Sequence, residues 1–250
     1  MAVEQFTVSF DGRTLHGDHW QPASARGAAL LLHGGGRSSS AGLAPVRQFM
    51  FERGVSSTAF DFIGHGRTGG ELLGSSLAER LAQLYKVIEA RRLEPRQLAL
   101  IGFSMGGHVA AVASTASAAS QQGFAALGLV IPAAYSAQAA ELRFGPAFSA
   151  AIRLPRSWED SNAFHAVSQF KGRLQIISGQ YDAVVPAEIP QRYFNVAVHC
   201  AERHHHVVAD SGHDLSAQFA LQPEAEHRAH DLLTRLAAPV NHPSPHSSVQ

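Results

Sequence analysis

Gly102-Phe103-Ser104-Met105-Gly106-Gly107 is the strongest local signal in this 250-residue chain. It places a serine between two glycines, each two positions away, in the pattern G-x-S-x-G. The apolar Gln97–Phe103 before the serine predicts a strand, and the alanine-rich Met105–Ala119 after it predicts a helix. A sharp strand-to-helix turn leaves no room for side chains two residues either side of the serine. The stretch therefore predicts a strained turn that presents Ser104 at one edge of a sheet.

Strands and helices alternate on both sides of this turn. The other predicted strands are Glu4–Phe10, Arg13–Trp20, Ala28–His33, Val55–Phe62, Phe124–Ile131, Leu174–Ser178 and Val207–Ala209. The turn signal Asp11-Gly12 makes the first two an antiparallel hairpin. Helices are predicted over Leu77–Ile88, behind a capping box, and over the amphipathic Pro223–Ala238. This order predicts an α/β fold with a mostly parallel, doubly wound sheet.

One segment breaks the alternation, and the chain end differs in composition from the rest. Residues 133–170 are too long for an ordinary crossover and carry aromatic residues without strand periodicity. We expect a short cap insertion, whose aromatic residues form either its own small core or a substrate pocket over Ser104. The candidate pocket residues are Tyr135, Phe144, Phe148 and Trp158, together with Gly34. Residues 1–238 are expected to form one domain, and the polar tail 239–250 to be disordered.

The composition excludes several classes of protein. Hydrophobic residues make up 45% and charged residues 16% of the chain, which is typical of a globular protein rather than a disordered one. The net charge of zero shows no bias towards nucleic acid, and the sequence shows no basic face of the kind that DNA binding needs. A single cysteine, Cys200, excludes an intramolecular disulfide and a zinc site built from cysteines. No secretory signal and no membrane-spanning run is visible, so a cytoplasmic location is expected.

A glycine-rich turn, His33-Gly34-Gly35-Gly36, follows the strand at Ala28–His33. When a serine attacks a carbonyl group, the carbonyl oxygen becomes negative and needs two backbone N–H groups aimed at it. Glycines let the backbone approach that oxygen closely. We predict that Gly35 supplies one donor, with Gly34 or Gly36 as alternatives, and that Met105 supplies the other.

Two further loops carry the partners that such a serine requires. Asp182 lies in Ser178-Gly-Gln-Tyr-Asp182, directly after the strand Leu174–Ser178. His213 lies in Asp210-Ser-Gly-His213-Asp214, after the last short strand. The carboxyl ends of parallel strands meet at one edge of a sheet, so both side chains can reach Ser104. The order Ser104, Asp182, His213 is that of a nucleophile, an orienting acid and a base in α/β hydrolases.

With these motifs the chain resembles the α/β-hydrolase fold superfamily over about Glu4 to Ala238. Asp61-Phe-Ile-Gly64-His65-Gly66-Arg67-Thr68 adds to the likeness, because it is similar to the D-x-x-G-H-G-x-S segment of many esterases and monoacylglycerol-lipase-like hydrolases. Thr68 stands where serine is usual. The resemblance implies a carboxylic-ester hydrolase that needs no metal or organic cofactor and acts on a small-molecule ester.

Other residues compete for the same roles. Asp61 is the main rival of Asp182, but its position favours a hydrogen-bonding role in the Gly64–Gly66 loop. Asp210 and Asp214 flank His213 too closely to orient its ring. His65 is predicted to be structural and His108 to be packed or exposed rather than catalytic. Cys200 is predicted to be an inert helix or core residue. His204, His205 and His206 cannot converge on a metal, because successive residues of a strand point to alternate faces.

The sequence thus predicts a serine hydrolase that cleaves esters of small or medium apolar acyl groups through an acyl-serine intermediate. A thioesterase, an amidase or aminopeptidase, and an acyltransferase remain open, since they would use the same triad. An aminopeptidase would need an acid to hold the substrate's amine, for which Glu141, Glu159 and Asp160 are available. A catalytically silent binding protein on the same fold is the alternative outside enzymes.

Overall fold

The computed structural model describes residues 2–115 and 123–238. These residues form one eight-stranded sheet in the order β1-β2-β4-β3-β5-β6-β7-β8. The strands are β1 (Ala2–Phe10), β2 (Arg13–Gln21), β3 (Gly27–Leu32), β4 (Val55–Phe60), β5 (Ala99–Phe103), β6 (Ala126–Val130), β7 (Arg173–Gly179) and β8 (Glu202–Val208). From β4 to β8 the neighbouring strands are parallel, whereas β1 and β2 are antiparallel to each other and β2 is antiparallel to β4. The predicted α/β fold, with a mostly parallel sheet and an N-terminal antiparallel hairpin, is confirmed.

The hairpin turns at Asp11 and Gly12, both of which have positive φ (45° and 73°). That backbone geometry matches the twist of the two strands and explains why Asp-Gly marks the turn.

Helices cover both faces of the sheet. They are α1 (Ala44–Glu52), α2 (Leu77–Ala90), α3 (Met105–Ala113), α4 (Ala137–Glu141), α5 (Pro146–Ile152), α6 (Asn162–Gln169), α7 (Glu188–Val196), α8 (Leu215–Leu221) and α9 (Pro223–Ala237). Alternate residues of one strand serve opposite cores: Leu30 and Leu32 belong to the core under α2 and α3, and Leu31 to the core under α1 and α9. A strand buried on both faces is therefore apolar throughout.

Two predicted elements differ from the observed ones. The last strand begins at Glu202 rather than Val207, and it includes His204, His205 and His206. It is an edge strand, so several of its residues are polar and partly exposed, and the sequence lacks the apolar pattern of a buried strand. The helix predicted over Met105–Ala119 ends at Ala113, and residues 116–119 lie outside the described residues, as does the tail 239–250.

The segment predicted as a cap, residues 133–170, contains α4, α5 and α6. Helix α4 packs against α2, and α6 packs against α3 and α7. Much of the segment is therefore joined to the helical layer beside α3.

Candidate active site

Ser104 lies at the junction of β5 and α3 in a strained conformation, with φ 50° and ψ −116°. A Cβ atom on Gly102 would lie 2.2 Å from the carbonyl oxygen of Gly106. A Cβ atom on Gly106 would lie 2.5 Å from the carbonyl oxygen of His33 and 2.6 Å from that of Leu32. Neither gap admits a side chain, so the two glycines allow strand, turn and helix to pack this closely.

Ser104, His213 and Asp182 form a continuous hydrogen-bonded chain. The Ser104 Oγ lies 2.9 Å from His213 Nε2, and His213 Nδ1 lies 2.8 Å from Asp182 Oδ2. The side chain of Asp182 is 6% exposed and that of His213 is 23% exposed. The carboxylate is thus shielded from water, while part of the imidazole stays exposed.

The loops that carry the acid and the histidine touch at Gly179. A Cβ atom on Gly179 would lie 2.4 Å from the carbonyl oxygen of Gly212. The other carboxylate oxygen of Asp182, Oδ1, accepts hydrogen bonds from the backbone N–H groups of Val184 (2.9 Å) and Val185 (2.8 Å). These two bonds hold the carboxylate so that Oδ2 faces the imidazole.

The glycine-rich turn lies against the serine. A Cβ atom on Gly34 would be 3.3 Å from that of Ser104, and one on Gly35 would be 3.1 Å from the terminal methyl of Met105. Among the residues that the structure describes, the N–H groups of Gly35 and Met105 donate no hydrogen bond. Two backbone donors beside the serine are therefore available to a bound oxygen.

A cavity of about 620 Å³ opens at Ser104 and His213. It extends between the sheet and helices α1, α8 and α9. Its apolar walls include Phe103, Ile131, Leu215, Phe219, Ala229 and Leu233. Of the residues predicted to bind substrate, Gly34 and Tyr135 line it.

A family model described as "Serine aminopeptidase, S33" matches residues 23–159, more than half of the chain. The chain belongs to this family. The match includes Ser104 and the turn at Gly34–Gly36 but ends before Asp182 and His213, so the geometry alone joins those two residues to the serine. The resemblance to the α/β hydrolases is confirmed, and the protein is a hydrolase.

Solved esterase structures share the fold of this hydrolase. Est1E from Butyrivibrio proteoclasticus, solved with ferulic acid, has a TM-score of 0.69 at 19% identity, covering 92% of this chain and 98% of its own. A thermophilic esterase from Thermogutta terrifontis has a TM-score of 0.70 at 19% identity, covering 96% and 95%. The esterase Pf2001 from Pyrococcus furiosus has a TM-score of 0.69 at 21% identity, covering 95% and 93%. No curated protein sequence matches the chain.

The other predicted pocket residues lie elsewhere in the hydrolase. Phe144, Phe148 and Trp158 are buried in the core on the α2 and α3 side and do not line the cavity. Phe144 and Phe148 pack edge to face with centroids 4.9 Å apart, and Trp158 packs against Phe164. These large rings fill the space between helices, which is the core arrangement that the sequence left open, and none of the three borders the cavity at Ser104.

The sequence analysis missed the polar groups of α9. Glu226 and His230 lie one helical turn apart and both line the cavity. Burial lowers the pKa of His230 to about 4, so the ring is neutral near pH 7. The amphipathic pattern of Pro223–Ala238 predicts one buried face of this helix. It does not predict that part of this face borders a cavity.

Asp61 has the structural role that its position predicts. Its Oδ1 accepts the N–H of Ser40 (2.6 Å) and its Oδ2 accepts the N–H of Arg67 (2.8 Å). Burial raises the pKa of Asp61, but these hydrogen bonds outweigh burial and hold it below the ordinary value. A Cβ atom on Gly66 would lie 2.2 Å from the carboxylate, so the loop wraps tightly around it.

Among the described residues, none of the remaining rivals is hydrogen-bonded to the Ser104 hydroxyl, whose partner is His213. His108 is fully packed beside the ring of Tyr135, and burial lowers its pKa to about 3. His205, on β8, contacts Ser178 (2.8 Å). Cys200 lies in the turn between α7 and β8 rather than in a helix, and burial raises the pKa of its thiol to about 11.

Within residues 2–115 and 123–238, no three or more His, Cys, Asp or Glu side chains are grouped to hold a metal ion. Over the same part of the chain, every helix is too short or too polar to cross a bilayer.

Proposed function

We propose that the protein is a serine esterase that cleaves carboxylic esters of small or medium apolar acyl groups through an acyl-serine intermediate. The observation that carries the proposal is the hydrogen-bonded chain from Ser104 through His213 to Asp182, beside two backbone N–H groups that have no acceptor among the described residues. A nucleophile, a base, an orienting acid and an oxyanion site are the parts that acyl transfer requires.

In the first half of the reaction, Nε2 of His213 takes the proton of the Ser104 hydroxyl as Oγ attacks the ester carbonyl. Asp182 keeps the imidazole in the tautomer that accepts at Nε2 and stabilises the imidazolium that forms. The N–H groups of Gly35 and Met105 bind the negative oxygen of the tetrahedral intermediate. His213 then returns the proton to the leaving alkoxide, the C–O bond breaks, and the acyl group remains on Oγ.

In the second half, His213 accepts a proton from water, and the hydroxide attacks the acyl-serine carbonyl. The same two N–H groups hold the second oxyanion. The C–Oγ bond breaks, Oγ regains the proton from His213, and the carboxylic acid leaves. No metal or organic cofactor takes part in this scheme.

The acyl group is proposed to enter the cavity between the sheet and helices α8 and α9. Phe219, Leu215 and Ile131 give that cavity apolar walls, and its volume of about 620 Å³ suits an acyl group of small or medium size. Est1E, whose fold is similar, has been solved with ferulic acid bound. We therefore expect apolar acyl groups, including aromatic ones, to be accepted.

Hydrolysis of an aminoacyl bond is a second candidate, favoured by the position of Glu226. The matching family model is described as a serine aminopeptidase, which must hold a substrate amine. Glu141, Glu159 and Asp160 are exposed and do not line the cavity, whereas Glu226 does. The substitution Glu226→Gln tests this candidate. It should reduce turnover of an amino acid p-nitroanilide and leave the p-nitrophenyl ester unaffected if the carboxylate binds the amine.

The central experiment labels the purified protein with a fluorophosphonate probe beside Ser104→Ala and measures turnover of p-nitrophenyl esters from acetate to decanoate. We expect labelling and ester turnover in the wild type, and neither above background in Ser104→Ala with an unchanged circular dichroism spectrum. Labelling without ester turnover would redirect the proposal to amides or thioesters. A folded wild type that does not label would favour the silent binding protein.

A further inference from the structure

Arg80, on α2, is a fully buried cation directly behind the glycine-rich turn. Its exposed fraction is 0%, and among the described residues it forms no salt bridge with a carboxylate. A buried charge without a counter-ion is costly, so its contacts must compensate by other means. The guanidinium carbon lies 4.8 Å and 5.1 Å from the ring centroids of Phe62 and Phe144, in cation–π range.

The polar contacts of Arg80 are made with the turn and its support. Nη1 donates to the carbonyl oxygen of Gly34 (3.1 Å), and Nη2 donates to Nε2 of His65. Because that ring nitrogen accepts, the proton of His65 is on Nδ1, which donates to the carbonyl oxygen of Ser38 (2.9 Å). Arg80 therefore fixes both ends of the Gly34–Ser38 turn, one directly and one through His65.

His33 completes the support in the same way. Its Nε2 accepts the N–H of Phe62 (3.1 Å), so its Nδ1 carries the proton and donates to the carbonyl oxygen of Gly34 (2.9 Å). Burial, together with the charge of Arg80, lowers the pKa of His33 to about 3, which keeps the ring neutral and this tautomer in place. The carbonyl oxygen of Gly34 thus accepts two hydrogen bonds, one from each of two buried side chains.

The orientation of the Gly34–Gly35 peptide group links these contacts to the reacting oxygen. In a trans peptide the C=O and the N–H point in opposite directions, so anchoring the carbonyl of Gly34 sets the direction of the N–H of Gly35. That N–H donates to no described residue, and Gly35 lines the cavity at Ser104. A positive donor on the carbonyl also polarises the peptide and strengthens its N–H as a donor.

We propose that Arg80 is a positioning residue of the oxyanion site, which orients and polarises the Gly34–Gly35 peptide. The inference rests on the proposed function, because it assigns the N–H of Gly35 to the oxyanion of acyl transfer. It predicts that losing the guanidinium weakens stabilisation of the negative oxygen more than it weakens ground-state binding.

The test compares one p-nitrophenyl oxoester with the thionoester in which sulfur replaces the carbonyl oxygen. Sulfur accepts hydrogen bonds weakly, so an oxyanion site stabilises the tetrahedral intermediate of the thionoester less than that of the oxoester. The ratio of the two kcat/KM values is independent of how much protein is folded. For Arg80→Met we expect this ratio to fall tenfold or more, mainly through kcat. Arg80→Lys keeps the charge but not the bidentate geometry of the guanidinium. We expect its ratio to lie between those of the wild type and Arg80→Met.

The matched control is Arg47→Met. Arg47 is also buried, at 1% exposure, but it pairs with Asp18 and contacts Ser57 rather than the turn at Gly34. This variant should lose stability and keep the wild-type ratio. Wild-type ratios in both Arg80 variants, or in whichever one folds, would overturn the role of Arg80 and leave the proposed function unaffected. A wild type that hydrolyses no oxoester would overturn the proposed function and the inference with it.

Discussion

Asp182 illustrates how much of the site depends on the placement of single atoms. One carboxylate oxygen is fixed by two backbone N–H groups and the other faces the imidazole of His213. An asparagine keeps the shape but removes the charge that stabilises the imidazolium and selects the tautomer. We expect Asp182→Asn to lower kcat by a factor on the order of 10³–10⁴, measured by steady-state ester hydrolysis with little change in thermal stability.

Asp214 is the matched control for that substitution. It adjoins His213 in sequence, but its carboxylate caps α8 by accepting the N–H of Ser216 (3.1 Å). Asparagine caps helices about as well as aspartate, so Asp214→Asn should keep both stability and kcat within a few-fold of the wild type. If Asp214→Asn lost as much activity as Asp182→Asn, the acid of the triad would have to be reassigned.

At the scale of elements, the close packing of β3 against the start of α3 sets the distance between the serine and the glycine-rich turn. Gly106→Ala would put a methyl group into the carbonyl oxygens of Leu32 and His33, which are backbone atoms and yield little. We expect a loss on the order of 1–3 kcal/mol in the free energy of unfolding, measured with urea. We also expect activity to fall, because the oxyanion donors move away from Ser104.

Gly42→Ala serves as the control, because a Cβ atom on Gly42 meets nothing within 4 Å and no positive φ is involved. Its free energy of unfolding should match that of the wild type or rise slightly, since alanine restricts the unfolded chain. Equal stability of the two variants would mean that β3 and α3 are less tightly apposed than described.

At the scale of the whole molecule, the cavity extends to α8 and α9, whereas Phe144, Phe148 and Trp158 belong to the core on the α2 and α3 side. Ala229 is on the wall of the cavity, and Ala229→Met should fill part of the space that we propose for the acyl group. We expect the ratio of kcat/KM for p-nitrophenyl octanoate over acetate to fall tenfold or more. Trp158→Phe, in the opposite core, should keep the wild-type ratio, and the reverse result would return the pocket to residues 133–170.

Buried histidines on both sides of the sheet make the stability of the molecule depend on pH. Burial lowers the pKa of His33 and His108 to about 3 and that of His230 to about 4. Unfolded histidines bind protons near pH 6.5, so below about that pH the unfolded chain binds more protons than the folded chain. The free energy of unfolding should fall as the pH is lowered from about 6.5 towards 4, by on the order of 1 kcal/mol per pH unit for each histidine.

Urea denaturation at pH 7, 6 and 5 measures this dependence. His108→Phe removes one of the three groups, and its ring can take the place of the imidazole beside Tyr135. The variant should show a shallower loss of stability between pH 7 and 5 than the wild type. An unfolding free energy that stays constant over this range would contradict the burial of neutral histidines.

The fold could be predicted from sequence because its signals are local. Three short segments each require a particular backbone conformation within a few residues. They are the apolar run at Ala28–His33, the Asp11-Gly12 turn and the glycines around Ser104. The proximity of Ser104, Asp182 and His213 could also be predicted from their chain order, since the loops that follow parallel strands lie at one edge of the sheet. The edge strand Glu202–Val208 was only partly predicted, because half-exposed histidines on it hide the alternation of a strand.

The sequence by itself therefore determined the fold class, the strained turn and the three residues that the structure joins by hydrogen bonds. Only the tertiary structure decided which side of the sheet holds the cavity, so that Phe219 and Glu226 line it while Phe144 packs on Arg80. It also decided that Arg80 and His65 support the turn at Gly34. The physical reason is that a side chain's partners depend on how distant elements pack, whereas a backbone turn depends on its own few residues.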